Sequence, residues 1–552
     1  MKKISICLSL LVLLLAGCYS DKGGNDYDTT LPDVQIVIPE EAYSASLGST
    51  ITITPEVKTD IPESDLEYFW EVEGEVRNSF GRSQYSSLVP SDQQAKVLNY
   101  TCHLDSNVVS LNTSYNCRLR VHQKSTGRNF YSENTCTITI AGVTGLMVLY
   151  GDDSQSDVGI LQASEFMPKA NSIPDTPNAI SGMYATANGG QKITGKGESI
   201  VYFVSDYNAS RYAANTRVVV HTDKGWSFLR YSDLEYLCDW SSMFFLHGDE
   251  ALNQNKPKGY CIDGSNYLAF DGNAVFKSTP SSPLFLDALI DNTMTLGDGN
   301  KLVLEPWLAR VSTSGQQVVS WCSEVNGKSQ NGFVSIGSYG TNYFKLLDTE
   351  DDKVDFNPGD MKADLLQMKA DDRGHAIAAL KGHSDNTQYA GKFFMVDLNP
   401  NASAEGNSGM KGVPQHIYDL SGQPDINNAF AFDFGNTINM CYYATPTGVY
   451  AFGHDAESNS LYNATKLSMA NGEALDISGE VTMMKLLDSP NVETHNTEPI
   501  LMVATWDGTS STLYALHIDK TSGKVKTVAK YNKDNVSGWN FGKIRDANIK
   551  NL

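Results

Sequence analysis

Short runs of alternating polar and apolar residues, many of them β-branched, recur between turn residues along the chain. Between residues 31 and 142 these runs lie at 34–38, 50–57, 66–74, 96–101, 115–123 and 135–142. Runs of roughly four to eight residues with a period of two are typical of half-buried strands. The pattern predicts one β-sandwich over residues 31–142.

Two positions in this region suit an immunoglobulin-like sandwich. Trp70 lies in the third run, and Tyr115 lies two residues before Cys117, as in the tyrosine corner of strand F. The second run contains no cysteine. We therefore expect Trp70 to pack without the disulfide that usually joins the two sheets.

From residue 143 onward, hairpin-like units of about three strands recur, with no long helical period. Seven units are visible, at 145–164, 198–231, 258–279, 316–347, 374–400, 437–467 and 500–531. Repeats of this kind predict a β-propeller over residues 143–552, with seven blades and a range of six to eight. A lone run at 540–549 would then pair with the run that begins at residue 145 and complete its blade. Two stacked β-sandwiches are the alternative fold, but they would explain seven similar three-strand units and a remaining terminal strand less well than a propeller does.

The net charge of the chain limits the classes of partner that it is expected to bind. Lys and Arg number 42 against 64 Asp and Glu, a formal net charge of −22, and the longest basic cluster is the hairpin at 520–530. Nucleic acid is therefore not expected as a partner. Long-range repulsion also disfavours strongly anionic glycans, although a local basic pocket could override it. Neutral sugars, peptides and cations remain as candidate ligands.

The cysteines show no metal-site spacing. Seven follow residue 18, namely Cys102, Cys117, Cys136, Cys238, Cys261, Cys322 and Cys441, and none forms a C-x-x-C pair. Their surroundings are apolar and strand-like, which predicts buried free thiols. One or two disulfides are the alternative, and the odd number leaves at least one thiol unpaired.

No catalytic or cofactor motif is present. The chain has no H-E-x-x-H, no G-x-S-x-G and no P-loop. We expect no catalysis and no cofactor, with a hydrolase or lyase as the alternative because carboxylates are abundant. The acidic segments 348–374 and 151–159 are the candidates for calcium, although neither has the spacing of an EF-hand loop.

The first residues of the chain predict that the protein is exported from the cytoplasm. Lys2 and Lys3 precede the apolar run 4–16, which has signal-peptide length and is too short to span a bilayer. The residues L-A-G-C that end at Cys18 resemble a bacterial lipobox. This resemblance implies a lipoprotein signal peptide at 1–17, acylation of Cys18, and a membrane anchor through lipid. The polar residues 18–30 then predict a flexible tether.

Two further segments resemble the PKD-like family of surface lipoproteins in Bacteroidota. The tether "CYSDKGGNDYD" resembles the start of those proteins, and the patterns Y-x-W at 68–70 and Y-x-C-x-L-x-V at 115–121 resemble PKD domains. The "FGDG" turn of better-known PKD domains is missing after Trp70. The resemblance implies an outer-membrane location facing the cell exterior. It also implies partnership with a SusC-like TonB-dependent transporter and a SusD-like lipoprotein.

The predicted propeller supplies the candidate binding residues. Its second-to-third-strand loops are expected at 206–216, 324–332, 382–391 and 506–511. Aromatic rings beside amides in such loops suit stacking on sugars or capture of peptides. The candidate ligand-binding residues are Tyr207, Arg211, Tyr212, His383, Tyr389 and Trp506.

The function expected from these features is accessory nutrient capture. An oligosaccharide or oligopeptide would bind the propeller at the cell surface and pass to the importer, while the sandwich acts mainly as a spacer. A glycan- or peptide-degrading propeller enzyme is one alternative. A structural or adhesive surface protein is the other.

Overall fold

The computed structural model describes residues 34–46, 50–77, 83–89, 91–101, 114–167, 176–203, 217–231, 233–240, 259–263, 266–270, 275–278, 302–310, 318–336, 344–346, 357–371, 373–399, 413–435, 439–455, 460–462, 464–488 and 499–550. The chain divides into two compact units, Met1–Ala141 (unit 1) and Gly142–Leu552 (unit 2). Both are built almost entirely of β-strands, so the all-β prediction is confirmed.

Unit 1 is a β-sandwich. Its main sheet has the order β2-β10-β8-β5-β6, with β9 also paired to β8, and two smaller sheets pair β1 with β4 and β3 with β7. Its strands are β1 (Gln35–Val37), β2 (Ala42–Ser46), β3 (Thr50–Ile53), β4 (Glu56–Lys58), β5 (Leu66–Arg77), β6 (Ser83–Ser87), β7 (Leu98–Thr101), β8 (Ser114–Gln123), β9 (Arg128–Tyr131) and β10 (Cys136–Ala141).

The core of unit 1 follows the alternation seen in the sequence. Every second residue of β8, from Tyr115 to Val121, is buried. Trp70 is fully buried in the same core, and its indole nitrogen donates to the carbonyl of Ala95 at 3.2 Å. Cys117 lies opposite Cys136 on the neighbouring strand, and both are free thiols. Trp70 therefore packs without a disulfide, as expected.

Unit 2 contains seven sheets within the described residues. Sheet 1 has the order β39-β11-β12-β13, with β14 also paired to β12, and each of the other six sheets follows chain order. Sheet 1 comprises β11 (Gly145–Gly151), β12 (Gln155–Gln162), β13 (Asn178–Ile180), β14 (Ile193–Thr194) and β39 (Ile544–Lys550). Sheet 2 comprises β15 (Gly197–Phe203), β16 (Arg217–Thr222), β17 (Gly225–Arg230) and β18 (Tyr236–Asp239).

The remaining sheets are also antiparallel. Sheet 3 comprises β19 (Gly259–Asp263), β20 (Asn266–Phe270) and β21 (Val275–Ser278), and sheet 4 comprises β22 (Leu302–Arg310), β23 (Val318–Val325), β24 (Lys328–Ile336) and β25 (Phe344–Leu346). Sheet 5 comprises β26 (Ala363–Ala370), β27 (Ala376–Gly382), β28 (Phe393–Asn399) and β29 (Val413–Asp419). Sheet 6 comprises β30 (Ala431–Phe434), β31 (Met440–Thr445), β32 (Gly448–Asp455), β33 (Ser460–Leu461) and β34 (Thr465–Lys466). Sheet 7 comprises β35 (Glu480–Asp488), β36 (Pro499–Trp506), β37 (Ser511–Ile518) and β38 (Val525–Tyr531).

The helical segments are short. Among the described residues they are α1 (Met183–Ala187) and the 3-10 helices Glu63–Asp65, Ser91–Gln93, Ser164–Phe166 and Ile426–Asn428. In the part of the chain that the structure describes, no helix combines the length and apolar character needed to cross a bilayer.

The first strands of the sheets of unit 2 lie against one another. We call β39, β15, β19, β22, β26, β30 and β35 the first strands of sheets 1 to 7. Contacts join β19 to β22, β22 to β26, β26 to β30, β30 to β35, β35 to β39, and β39 to β15. The pairing of β39 with β11 runs antiparallel from Lys550 opposite Gly145 to Ile544 opposite Tyr150. The prediction that the terminal run joins the run beginning at residue 145 is confirmed.

Charged side chains link these first strands. Asp433 on β30 accepts a hydrogen bond from Lys369 Nζ of β26 at 2.7 Å and another from the N–H of Leu486 of β35 at 2.7 Å. Asp546 on β39 repeats the arrangement, because it accepts from Lys485 Nζ of β35 and from the N–H of Ile200 of β15. Each aspartate thus joins the sheet before its own to the sheet after it.

Glu165 joins sheet 1 to sheet 7. It follows β12, forms a hydrogen bond with the Tyr531 hydroxyl, and lies 3.9 Å from Nε2 of His517. Burial alone would raise the pKa of Glu165, but hydrogen bonds from His517 and Tyr531 outweigh it and lower the pKa to about 2. The charged carboxylate is therefore the form that stabilises this junction.

We expect Glu165→Gln to remove part of the acid sensitivity of unit 2. A folded pKa of about 2, against an ordinary 4.5, contributes stability that is complete above pH 4.5 and is lost as pH falls towards 2. The full loss is about 3 kcal/mol at 1.36 kcal/mol per pKa unit. Urea unfolding at several pH values would measure it against Glu480→Gln, a control at a half-exposed carboxylate. Equal pH profiles for wild type and Glu165→Gln would contradict the assignment.

The thiol prediction is confirmed for four cysteines. Cys117, Cys136, Cys322 and Cys441 are buried free thiols, whereas Cys238 is a half-buried thiol. Burial raises the pKa of Cys322 to about 12 and that of Cys238 to about 11. These two thiols are therefore protonated and unreactive at neutral pH.

Candidate functional site

A cleft of about 610 Å³ opens between sheet 6 and sheet 7. We call it the 6/7 cleft. It is lined by Asn439, Met440, Ala451, Phe452, Gly453, His454, Tyr462, Thr465, Leu467, Ser468, Lys520, Thr521, Ser522, Gly523 and Lys524. Ligand sites in proteins typically enclose about 300–1,000 Å³. The 6/7 cleft is therefore large enough for a small oligomer rather than for a single ion.

Tyr462 forms one wall of the cleft. Its side chain stands at the end of sheet 6 and is 60% exposed, the largest exposure among the exposed large hydrophobic residues described. The N–H of Tyr462 donates to the carbonyl of Gly453 at 2.9 Å, and a Cβ at Gly453 would lie only 3.1 Å from ring atom Cδ2. The glycine therefore leaves room for the ring, which remains available to a ligand.

The turn between β37 and β38 forms the opposite wall. Asp519 Oδ1 accepts the N–H groups of Thr521 and Ser522, and these bonds lower the pKa of Asp519. Gly523 has a φ of 66°, which favours glycine, and its Cβ position lies 2.5 Å from the Met440 side chain. The turn is thus held rigidly against sheet 6.

Two cations stand on this turn. Lys520 and Lys524 are exposed, and neither has an ion-pair partner among the residues that the structure describes. Among the side chains that the structure describes, no Asp or Glu lines the cleft. The floor is apolar, from Met440, Ala451 and Leu467, while Thr465, Ser468, Thr521 and Ser522 supply hydroxyl groups at its rim.

A second cluster of ionisable groups lies in sheet 5. His375 Nδ1 shares a hydrogen bond of 2.7 Å with Asp397 Oδ1, and Arg373 Nη2 donates to Asp397 Oδ2 at 2.9 Å. Burial alone would raise the pKa of Asp397, but His375 and Arg373 outweigh it and lower that pKa. Asp371 Oδ1 accepts the N–H groups of Arg373 and His375. The cluster therefore fastens the turn between β26 and β27.

The pairing of His375 with Asp397 has the geometry of an acid–base dyad, which in enzymes activates a nucleophile. Among the described residues, no serine, threonine or cysteine side chain forms a hydrogen bond with His375. The neighbouring His454 of sheet 6 is 5% exposed, and burial lowers its pKa. The ionisable groups of this cluster therefore have a structural role, and among the described residues no nucleophile accompanies His375.

The predicted ligand residues separate into two groups. Cys18, Tyr207, Arg211 and Tyr212 lie outside the described residues. The segment that carries Tyr207, Arg211 and Tyr212 joins β15 to β16, which are the first and second strands of sheet 2. The prediction that this segment is a second-to-third-strand loop is therefore wrong, because the hairpin of sheet 2 begins one strand earlier than the sequence pattern suggested.

The other predicted residues do lie on second-to-third-strand turns. His383 Nε2 shares a hydrogen bond of 2.8 Å with Asp364 Oδ1. Tyr389 is 8% exposed and stacks on Phe394, with ring centroids 4.4 Å apart. Trp506 ends β36 in sheet 7 and is half-buried. No hydrogen bond, ion pair or ring contact of the described residues joins Trp506 to His383 or Tyr389.

The residues of the 6/7 cleft were missed by the sequence analysis. In sheet 6 they lie on or beside β31, β32, β33 and β34, and in sheet 7 they lie on the turn between β37 and β38, whereas the predicted loops join second and third strands. One sequence feature did point towards them, namely the basic hairpin at 520–530 in an otherwise acidic chain. Tyr462 carried no such signal, because an isolated tyrosine after a polar run is common in surface turns.

The described carboxylates do not form a metal site. Among the described residues no group of three or more His, Cys, Asp or Glu side chains is arranged to hold a metal ion. In the segment 151–159, Asp152 caps its own turn, and Asp153 pairs with Arg545 at 2.7 Å. Asp157 accepts the N–H groups of Val158 and Ala185. Of the other acidic segment, 348–374, residues 348–356 and 372 lie outside the described residues.

Comparison with known proteins identifies one family. Residues 18–196 match the PKD-like family, which supports the PKD-like part of the resemblance seen in the sequence. The match begins at Cys18, covers unit 1, and ends just after β14 of unit 2, so it spans less than half of the chain. No curated protein matches the chain.

Proposed function

We propose that the chain is a lipid-anchored protein on the outer face of the outer membrane of a Bacteroidota bacterium. Its anchor is Cys18, behind a lipoprotein signal peptide at 1–17, and unit 2 is a seven-bladed β-propeller that captures an oligosaccharide or oligopeptide. It passes this cargo to a SusC-like TonB-dependent transporter that works with a SusD-like lipoprotein. The lipobox and the family match that begins at Cys18 support the anchor.

Three observations support the propeller. Unit 2 has seven antiparallel sheets within the described residues. Their first strands contact one another in chain order from sheet 3 to sheet 7, and then through β39 to β15. The terminal strand β39 pairs with the first strand of the unit in sequence, β11. A ring of sheets closed by a terminal strand leaves few exposed sheet edges.

The 6/7 cleft is the observation that carries the binding function. It combines an exposed aromatic ring, an apolar floor and a rim of hydroxyl groups. A sugar ring has one apolar face and a circumference of hydroxyls, so this combination favours an oligosaccharide over an oligopeptide. Capture rather than catalysis is proposed because the His375–Asp397 pair, which has the geometry of an acid–base dyad, fastens a turn in sheet 5.

We expect Cys18→Ala to release the protein from membranes. The acyl chains on a lipoprotein cysteine supply the whole anchor, at about 0.8 kcal/mol per buried methylene. Fractionation of cells, with a fatty-acid probe to label the wild type, would measure the effect. Cys102→Ala is the control. An unlabelled wild type, or a Cys18→Ala protein that stays in the membrane, would contradict the anchor.

We expect Tyr462→Ala to weaken binding of the captured oligosaccharide by about two- to tenfold, because a stacked aromatic ring contributes about 0.5–1.5 kcal/mol. The ligand would be found by purifying the whole mature protein from the outer membrane with its partners and cargo attached, and affinity would be measured by calorimetry. Tyr236→Ala is the control, since Tyr236 is an exposed tyrosine of sheet 2. Unchanged affinity, or turnover of the ligand, would contradict capture in this cleft.

A further inference from the structure

The charge of the 6/7 cleft is opposite to that of the chain. The whole protein carries a formal charge of −22, yet the described lining of the cleft contains two lysines and no acidic residue. At physiological ionic strength the field of a charge is largely screened beyond about 8 Å. The groups inside the cleft therefore decide which ligand charge it accepts, and the remote carboxylates contribute little.

Both lysines are available for a ligand. Lys520 and Lys524 are exposed and make no ion pair among the described residues. The nearest acid of their own turn, Asp519, is directed into the turn, where Oδ1 accepts two N–H groups and the Ser522 hydroxyl. Asp519 thus orders the turn that presents the two ammonium groups.

A simple anion would leave most of the cleft unused. The volume of about 610 Å³, the Tyr462 ring and the floor of Met440, Ala451 and Leu467 all require an organic ligand with an apolar surface. The hydroxyl-bearing rim adds donors and acceptors for a polyol. An oligosaccharide that carries anionic groups satisfies every part of this lining.

We propose that the 6/7 cleft binds an acidic oligosaccharide, with a sugar ring on Tyr462 and an anionic substituent directed to Lys520 and Lys524. The proposal rests on the proposed function, because it names the class of cargo for the same site. It overrides the expectation from net charge that anionic glycans are disfavoured. Carboxylate and sulfate substituents share the chemistry that the two lysines recognise.

The test is calorimetric titration of the whole mature protein with matched ligands. The probes are trigalacturonic acid, its fully methyl-esterified form, and a sulfated trisaccharide with its desulfated counterpart. We expect a charged member to bind at least tenfold more tightly than its neutral partner, and the preference to shrink as salt concentration rises. Tighter binding of trigalacturonic acid than of its methyl ester identifies carboxylate as the recognised group. Tighter binding of the sulfated trisaccharide than of its desulfated counterpart identifies sulfate.

Variants separate this proposal from the proposed function. The double variant Lys520→Gln, Lys524→Gln should remove the preference for charged ligands, while neutral ligands keep their affinity. The control is Lys526→Gln, because Lys526 is an exposed lysine of the same hairpin outside the cleft lining. This control should change neither the preference for charged ligands nor the affinity for neutral ones. If neutral sugars bind as tightly as charged ones and only Tyr462→Ala weakens binding, the acidic specificity is wrong and sugar capture stands. If no saccharide binds, or triglutamate binds more tightly than any of them, sugar capture fails as well.

Discussion

Deletion of residues 540–552 is expected to abolish the cooperative unfolding of unit 2 and to leave the unfolding of unit 1 unchanged. The deletion removes β39, which pairs with β11 along its whole length and contacts both β15 and β35. Without it, β11 becomes an exposed sheet edge, and sheets 2 and 7 lose the strand that lies between their first strands. The contacts that run from β35 through β39 to β15 would then be interrupted.

The size of this effect follows from what β39 buries. Ile544 and Ile549 are almost fully buried in the core shared by sheets 1 and 7. Burial of one such side chain contributes about 1.5–3 kcal/mol, so the two together contribute about 3–6 kcal/mol. Native domains are stable by only about 5–15 kcal/mol, and the hydrogen bonds of β39 are lost in addition. The total loss is therefore comparable with the whole stability of unit 2.

Differential scanning calorimetry of the whole chain would measure the result. The wild type should show transitions for both units, and the deletion should retain only that of unit 1. A truncation of residues 551–552, which leaves β39 intact, is the control. A deletion variant that melts like the wild type would contradict the role of β39 as the strand that completes sheet 1.

Replacement of Asp433 by alanine is expected to destabilise unit 2 by about 3–5 kcal/mol. Asp433 is 4% exposed and accepts hydrogen bonds from Lys369 Nζ and from the N–H groups of Phe434 and Leu486. The cost arises because the N–H groups of Phe434 and Leu486 lose their acceptor, at about 1–3 kcal/mol for each buried donor left unsatisfied. The Lys369 ammonium also loses its partner, although its side chain is 34% exposed and can be solvated.

The measurement is urea unfolding of the whole chain near neutral pH. Asp534→Ala is the matched control, because the Asp534 side chain is 73% exposed and its pairing with Lys533 is expected to contribute less than about 1 kcal/mol. Lys369→Met should cost less than Asp433→Ala, since both N–H groups still donate to Asp433. Equal stability of Asp433→Ala and Asp534→Ala would show that the link between sheets 5, 6 and 7 is dispensable.

Most strands of unit 1 could be read from the sequence, and the exceptions have a common reason. All six predicted runs contain strands, from β1 to β10. The strands β2, β6 and β9 were not predicted, because Ala42–Ser46 and Ser83–Ser87 consist mainly of small polar residues and Arg128–Tyr131 is mainly polar. Strands at or near a sheet edge bury little, so they need no apolar alternation. Hydrophobic periodicity cannot reveal them.

The residues of the candidate site, in contrast, could not be predicted from the sequence. Tyr389 was selected because an aromatic residue in a polar loop is often exposed, but the side chain turns back and stacks on Phe394 in the core of sheet 5. Tyr462 was not selected, although it is 60% exposed beside a ligand-sized cleft. Exposure depends on how a turn folds onto its own sheet. The local sequence around either tyrosine does not contain that information.

By itself, the sequence determined the all-β class, the sandwich core around Trp70 and the pairing of the terminal strand with the strand at residue 145. The first two follow from alternation within a few neighbouring residues, which is a local property of the chain, and the third follows from the repeated three-strand units, which leave one terminal run over. Only the tertiary structure decided that Lys369 meets Asp433, and that Tyr462 faces the turn of Lys520 and Lys524. These contacts join different sheets, and the packing of one sheet against the next sets their distances.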